Sequence, residues 1–244
     1  MKDFLVIGES CKDVFCYGDC ERLCPEAPVP VFKPIDYKEN GGMSKNVYKN
    51  IIALGYECDI ITNDNWEEIT KMRYVHRATN QLFIRIDDGD NKIKRCNVFD
   101  IDFKKYKIII ISDYCKGFLM EEDIDYIASN HDCVFLDTKK DLGKWCDNVK
   151  FIKINNIEYR RTKNMITDEM KKKMIITLGQ NGCLFQETIF PVEKVEIKDV
   201  SGAGDTFLAG LVVKYLESND IKESAKFANE CATKVVQKRG VNTI

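Results

Sequence analysis

Short, almost wholly apolar runs recur along the chain, separated by longer segments with helical spacing. Phe4-Leu5-Val6-Ile7-Gly8 and residues 107–112 have the length and composition of strands buried on both faces. Residues 57–62, 133–137, 149–154 and 173–178 repeat that character, and 74–87 alternates enough for one or two further strands. The intervening pattern predicts helices over 44–54, with Gly55 as its stop, over about 120–129, and near 205–216 and 221–237. Strands alternating with helices predict an α/β fold whose mainly parallel sheet is covered on both faces. Residues 16–34 break the rhythm. Four of the five prolines fall there, Pro25, Pro28, Pro30 and Pro34, so this stretch is expected to be an extended excursion with edge strands at most.

A chain of 244 residues with 44% hydrophobic content suits one such domain with a small appendage. The net charge of −2 provides no general basic field, so no nucleic-acid partner is expected. Lys139-Lys140 and Lys171-Lys172-Lys173 read as solvated faces. Met1-Lys2-Asp3 leads straight into the first strand rather than into a signal sequence, and no apolar run reaches membrane-spanning length. A cytoplasmic protein without a membrane partner is therefore expected. Eleven cysteines, an odd number, then read as reduced thiols. Cys16, Cys20 and Cys24 lie four apart with Cys11 nearby, but there is no C-x-x-C pair and the only histidines are His76 and His131. That pattern argues against a zinc site and against a hydrolase triad.

The chemistry concentrates in "DVSGAGDTFLAG", residues 199–210. Gly202-Ala203-Gly204 carry almost no side chain, Asp205 follows, and 206–213 reads as a buried helix. As local structure this is a helix start with Ser201 or Asp205 as N-cap. As chemistry it is an anion cradle, because N–H groups at a helix N-terminus point at phosphate and the helix dipole favours negative charge. An aspartate there would repel phosphate, yet it suits taking a proton from a hydroxyl that attacks phosphorus. Further polar clusters fall where the strands of such a sheet end, which is where ligands bind. They are Glu9-Ser10 with Asp13, Gly41-Gly42 with Asn46, Ser112-Asp113-Tyr114-Cys115-Lys116-Gly117, Asp137-Thr138-Lys139, Asn155-Asn156-Ile157-Glu158 and Thr177-Leu178-Gly179. Together they put carboxylates, lysines and glycines on one rim, fit for a sugar, a polyphosphate and Mg²⁺.

These residues resemble the ribokinase-like (PfkB-type) carbohydrate kinase family, whose signature 199–210 matches closely. Within that family the chain is similar to the heptose-7-phosphate kinases, the kinase half of bifunctional ADP-heptose synthesis enzymes. The likeness is carried, in order and over nearly the whole chain, by "GESCKDVFCYGDCERLCPEAPVPVF" (8–32), "NGGMSKNVYKNIIALG" (40–55), "TKMRYVHRATNQLFIRID" (70–87), "SDYCKGFL" (112–119) and "FANECATKVVQKRGV" (227–241).

The resemblance implies a ribokinase-like three-layer sandwich over 1–244, a single kinase domain with β-strand lid segments at about 14–34 and 72–98. It implies ATP as co-substrate, Mg²⁺, and a monovalent cation as a further candidate ligand. Asp205 would be the catalytic base, and the amides of Gly202, Ala203 and Gly204 the anion hole. Asn155 and Glu158 match an N-x-x-E element that organises Mg²⁺, Glu158 acting through water. Asp13, Gly41, Gly42, Asn46 and Asp113 would bind the sugar. Lys139, Asn155, Thr177, Gly179, Gly182 and Asn229 would meet the nucleotide. The lid is a candidate homodimer interface, and Arg22, Arg77 and Arg85 in it are candidates for a substrate phosphate, whose geometry guanidinium matches. The implied activity is phosphorylation of the anomeric hydroxyl of D-glycero-D-manno-heptose 7-phosphate to the 1,7-bisphosphate. The alternatives are a kinase for another sugar or sugar phosphate, and a catalytically silent sugar- or nucleotide-binding relative.

The chain also departs from the pattern. Only 63–69 joins the strand at 57–62 to Thr70-Lys71, where the family has a helical stretch. Residues 158–173 are abbreviated, so a peripheral helix is expected to be missing. Ser201 stands for the usual threonine of the signature. The nucleotidyltransferase half and its histidine motif are absent, so the chain is not expected to make ADP-heptose alone.

Overall fold

Alternate residues of the first strand serve two different cores. In the computed structural model, which describes residues 1–244, β1 (Lys2–Gly8) sends Phe4 and Val6 into one layer and Leu5 and Ile7 into the other. Two long strands follow, β2 (Ser10–Leu23) and β3 (Pro30–Met43), then α1 (Ser44–Ala53), β4 (Cys58–Ile61), β5 (Thr70–His76) and β6 (Leu82–Asp88). The second half alternates more regularly, with β7 (Tyr106–Asp113), α2 (Glu121–Ser129), β8 (Val134–Thr138), β9 (Phe151–Asn155), α3 (Asn156–Thr162), α4 (Asp168–Lys173) and β10 (Met174–Thr177). The hairpin β11 (Cys183–Phe185) and β12 (Thr188–Phe190) precedes α5 (Ala203–Ser218) and α6 (Ile221–Val236).

Eight strands form one sheet in the order β12-β11-β10-β9-β8-β7-β1-β4, parallel from β4 to β10 and antiparallel in the edge hairpin. β7 repeats the division of β1. Ile108 and Ile110 pack with α1, α5 and α6, while Ile109 and Ile111 pack with α2 and with Met170 of α4. Full burial of one such side chain stabilises by about 1.5–3 kcal/mol, so these doubly covered strands are the firm frame of the molecule. The expected α/β sandwich with a mainly parallel sheet is what the chain forms.

A separate four-stranded sheet, β3-β2-β5-β6, stands beside this frame. Residues 16–34 supply more than edge strands, because β2 is central and pairs with β3 on one side and β5 on the other. Pro25 and Pro28 lie in the bend between β2 and β3, and Pro30 and Pro34 on the outer strand β3. Pro30 opens it and Pro34 stands opposite Gly18 at the register shift between Tyr17 and Gly18, the edge-strand and bulge positions where a residue without an N–H is tolerated. The small sheet takes Ser10–Met43 and Thr70–Asp88, a longer reach at the front than 14–34 and a shorter one at the back than 72–98. Val98 has left it and is fully buried in the main core. Between β4 and β5 there is a single turn, Trp66–Glu68, while the abbreviated 158–173 still holds two short helices. No helix is long and apolar enough to cross a membrane.

Candidate active site

The parallel strands end along one edge of the large sheet, and α1 and α5 both begin there. Ser44 ties α1 to the end of β1, its N–H donating to the Glu9 carbonyl and its hydroxyl to the Gly8 carbonyl, each at 2.9 Å. Near the start of the helix, Asn46 Nδ2 donates to Oδ2 of Asp205 at 2.9 Å. The Tyr114 hydroxyl donates to Oδ1 of the same carboxylate at 2.7 Å. Fully buried Glu9 accepts from the N–H groups of Tyr114 and Lys116, both at 2.8 Å, and so fixes the loop that carries Tyr114. Burial raises the pKa of Asp205, the two donors oppose the rise, and nearby Asp137 adds to it. Asp205 is thus a positioned carboxylate, more basic than usual and with lone pairs left over, as proton abstraction requires.

Gly202 allows α5 to start where it does. Its φ is 78°, and a Cβ there would stand 2.6 Å from Asn46 Nδ2. The Ala203 N–H, expected in the anion cradle, donates to the Val200 carbonyl at 3.2 Å, whereas the Gly204 N–H meets no backbone carbonyl.

Two cavities adjoin Asp205. The larger, about 800 Å³, is lined by Lys139, Asn155, Thr177, Gly179, Gly182 and Asn229, the expected nucleotide contacts, and by residues 202–205. Asn229 shapes the wall through its donation to the Phe190 carbonyl at 2.8 Å. Lys139 is paired with Glu158 at 2.5 Å. Burial works against the Lys139 ammonium, but Asp137 and Glu158 prevail and its pKa is raised. Glu158 itself does not line the cavity. Its oxygens accept from Lys139, from the Asn155 side chain at 2.8 Å and from the Asn155 N–H at 2.7 Å, in a capping box that starts α3. The acceptor that does remain is Oδ1 of Asp137, buried in the cavity lining with no hydrogen-bond partner. The Lys139 ammonium stands 3.8 Å from it, and a carboxylate oxygen with a free lone pair near a helix N-terminus fits as one ligand of a hard cation such as Mg²⁺, whose other ligands would be phosphate and water oxygens.

The smaller cavity, about 310 Å³, lies between Asp205 and the small sheet. Of the expected sugar contacts, Asp13, Gly42, Asn46 and Arg85 line it. So do Lys116, from the polar cluster expected after the strand at 107–112, and Lys71 and Arg73, which the sequence did not single out. Arg73 pairs with Asp13, Arg85 with Asp87 at 2.8 Å, Lys71 with Asp87 at 3.3 Å, and Lys116 with Asp90 at 2.6 Å. Burial, with Arg85 as neighbour, works against the charge on Arg73 and lowers its pKa. With Lys139, five cationic side chains line this cavity against the carboxylates of Asp13, Asp87 and Asp205. Tyr114, Lys139, Gly202 and Asp205 belong to both cavities, so the carboxylate stands at their junction.

Four expected contacts lie elsewhere. Asp113 is buried and lines neither cavity, because Lys140 at 2.8 Å and Thr138 at 2.5 Å hold its oxygens. That pair also shows that Lys139-Lys140 is not a solvated face. Gly41 lies against the Lys45 side chain, outside the cavity lining. Arg77 follows the end of β5, pairing with Asp19 at 3.2 Å, and Arg22 lies near the far end of β2, so neither reaches the cavity. Strand alternation over 70–76 was the signal that could have found Lys71 and Arg73, which share a face. Tyr114 stood in the polar cluster 112–117 but its contact with Asp205 had no signal, and Lys153, which lines the larger cavity, had none at all.

Residues 58–244 match the family described as pfkB family carbohydrate kinase. The bifunctional protein HldE of a Nitratiruptor species is 30% identical over 289 aligned residues, covering 98% of this chain and 62% of the relative. That of Helicobacter pylori (strain Shi470) is 29% identical, covering 98% and 64%. The chain therefore spans under two thirds of the length of these curated relatives. Among solved structures, ribokinase from Thermotoga maritima superposes with a TM-score of 0.76 at 17% identity, covering 99% of this chain and 95% of that one. Arabidopsis thaliana ribokinase complexed with ribose and ATP gives 0.71 at 16% identity, covering 98% and 95%. At such identities the likeness is one of fold.

Proposed function

The chain belongs to the pfkB family of carbohydrate kinases, and from that premise we propose that it transfers the γ-phosphoryl group of ATP to the anomeric hydroxyl of a sugar phosphate, a heptose 7-phosphate. The larger cavity takes the nucleotide, with Lys139 and the Gly204 amide toward the phosphates. The smaller takes the sugar. Asp205, at the junction, accepts the proton of the attacking hydroxyl, while Asn46 and Tyr114 hold the carboxylate in line. Mg²⁺ arriving with the nucleotide would be held by Asp137 and, through water, by the Asn155–Glu158 element, and would offset phosphate charge. The exposed side of the small sheet would pair with a second copy of the chain.

The observation that supports a phosphorylated substrate is the gathering of Lys71, Arg73, Arg85 and Lys116 in one small cavity that ends at Asp205. These four cations share only three carboxylates, Asp13, Asp87 and Asp90, and the positive excess so gathered in a partly buried space favours an anionic group, which guanidinium and ammonium donors can hold by charge-assisted hydrogen bonds. The heptose assignment comes from the segments 8–32 and 70–87, which build this small sheet. The test is turnover of ATP with heptose 7-phosphate, unphosphorylated heptose, fructose 6-phosphate and ribose. Heptose 7-phosphate should be the best substrate. Arg85→Ala and Lys116→Ala should each raise its KM about 10- to 100-fold, the worth of a hydrogen bond to a charged group, and leave the KM for ATP unchanged. If ribose or free heptose turns over best, the phosphate reading fails.

A further inference from the structure

Lys153 sits where no surface lysine belongs. It is on β9 between Ile152 and Ile154, which point into the core, and its side chain is 5% exposed. Its register partner on β8 is Asp137, and Nζ donates to Oδ2 of that residue at 2.6 Å. A cross-strand ion pair accounts for one of the three N–H donors of an ammonium and leaves the others without a protein acceptor. Burying such a pair gives little stability by itself. Its position is more telling. Lys153 lines the larger cavity, and its Nζ lies 3.2 Å from where a Cβ on Gly204 would stand. Any side chain at 204 would crowd the ammonium, so the smallness of that residue keeps a cation beside the helix N-terminus that cradles phosphate. The charge of Lys153 also reaches Asp205, acting against the rise of its pKa.

We propose that Lys153 is a catalytic residue of this kinase, a resident cation that donates hydrogen bonds to the phosphoryl group in transit. The inference rests on the kinase reading above. In the step, the sugar oxygen forms a bond to the γ-phosphorus and the bond from that phosphorus to the β–γ bridging oxygen breaks. The electron pair leaves on the β-phosphate of ADP, and the hydroxyl proton passes to Asp205. Lys153 keeps its proton throughout and meets the charge carried by the three equatorial oxygens. Asp137, on its other side, holds the ammonium in place. A donor aimed at charge that develops during reaction acts on kcat rather than on ground-state binding.

The experiment uses the full chain with Lys153→Thr and Lys153→Gln. The glutamine retains a donor for Asp137 if the threonine variant folds poorly. Calorimetry measures binding of ADP alone and of ADP with aluminium fluoride, a mimic of the phosphoryl group in flight, and steady-state kinetics covers the sugar panel. We expect kcat to fall by about 10²–10³-fold and affinity for the fluoride complex to fall by a similar factor, with ADP affinity and sugar KM near wild type. Equal losses for ADP and for the fluoride complex, or wild-type values for both, overturn the role of Lys153. A wild type that turns over none of the sugars, with the fluoride complex still dependent on Lys153, overturns the sugar reading and leaves this one standing. A wild type that binds no nucleotide overturns both.

Discussion

Asp205 carries two demands that pull in opposite directions. As the proposed base it must be ionised, yet its burial favours the neutral acid and raises its pKa. A carboxyl whose pKa is raised on folding adds stability below its unfolded pKa, and that contribution is lost as pH rises through the folded value. At neutral pH Asp205→Asn should therefore raise the urea midpoint while lowering kcat about 10²–10⁴-fold, the usual worth of a general base. Urea melts and turnover on the same preparations check this, and a variant that is both active and no more stable contradicts it. For the same reason kcat/KM should fall with decreasing pH at a point above the ordinary carboxylate value of 3.8, as a pH–rate profile would show. Asp205 was legible in the sequence because three small residues before an aspartate and an apolar helix have few other uses. Lys153 was not. In "FIKIN" a lysine between isoleucines looks like the solvent side of a strand, and only the neighbour Asp137, distant in sequence, shows that it is buried.

Helix starts do most of the positioning. α1 brings Asn46, α5 brings Asp205, and the glycine before α5 lets the two meet. Gly202→Ala should cost about 1–2 kcal/mol for a left-handed backbone alone. The new methyl group, 2.6 Å from Asn46 Nδ2, should also push that amide off Asp205 and lower kcat. Gly55→Ala is the control. Its φ is 89° but nothing lies within 4 Å, so it should lose comparable stability and keep its activity. Chemical denaturation and kinetics on both variants separate strain from displacement. The helices and parallel strands were readable because doubly buried strands are short and apolar and helices carry stop signals such as Gly55. The small sheet was harder. Its prolines argued against regular structure, and what rescues them, an outer strand with a register shift, depends on which strand neighbours which. The short α3 and α4 were invisible because six or seven residues hold too few apolar positions to set a period.

At the scale of the molecule, a rigid doubly covered sheet supports a second sheet with one face turned inward and one outward. In β6, Arg85 and Asp87 line the smaller cavity, so alternation turns Ile84 and Ile86 outward, where they are about half exposed, as are Ile35 and Tyr37 on β3 at the opposite edge of the sheet. An apolar outer face of this kind should associate, and sedimentation equilibrium is expected to give a dimer that Ile84→Lys converts to monomer. A wild-type monomer would show that the face is merely tolerated. One further consequence lies in the shared wall of the two cavities. Asp205 lines the smaller cavity, and if that cavity is the proposed sugar site, a water molecule in it has the same access to the carboxylate as a sugar hydroxyl. The protein should therefore hydrolyse ATP slowly on its own, and a bound sugar should act as a stopper that replaces leakage with transfer. Phosphate release without sugar, abolished in Asp205→Asn, would expose that leak, and its size would measure how well the small sheet keeps the empty chamber dry.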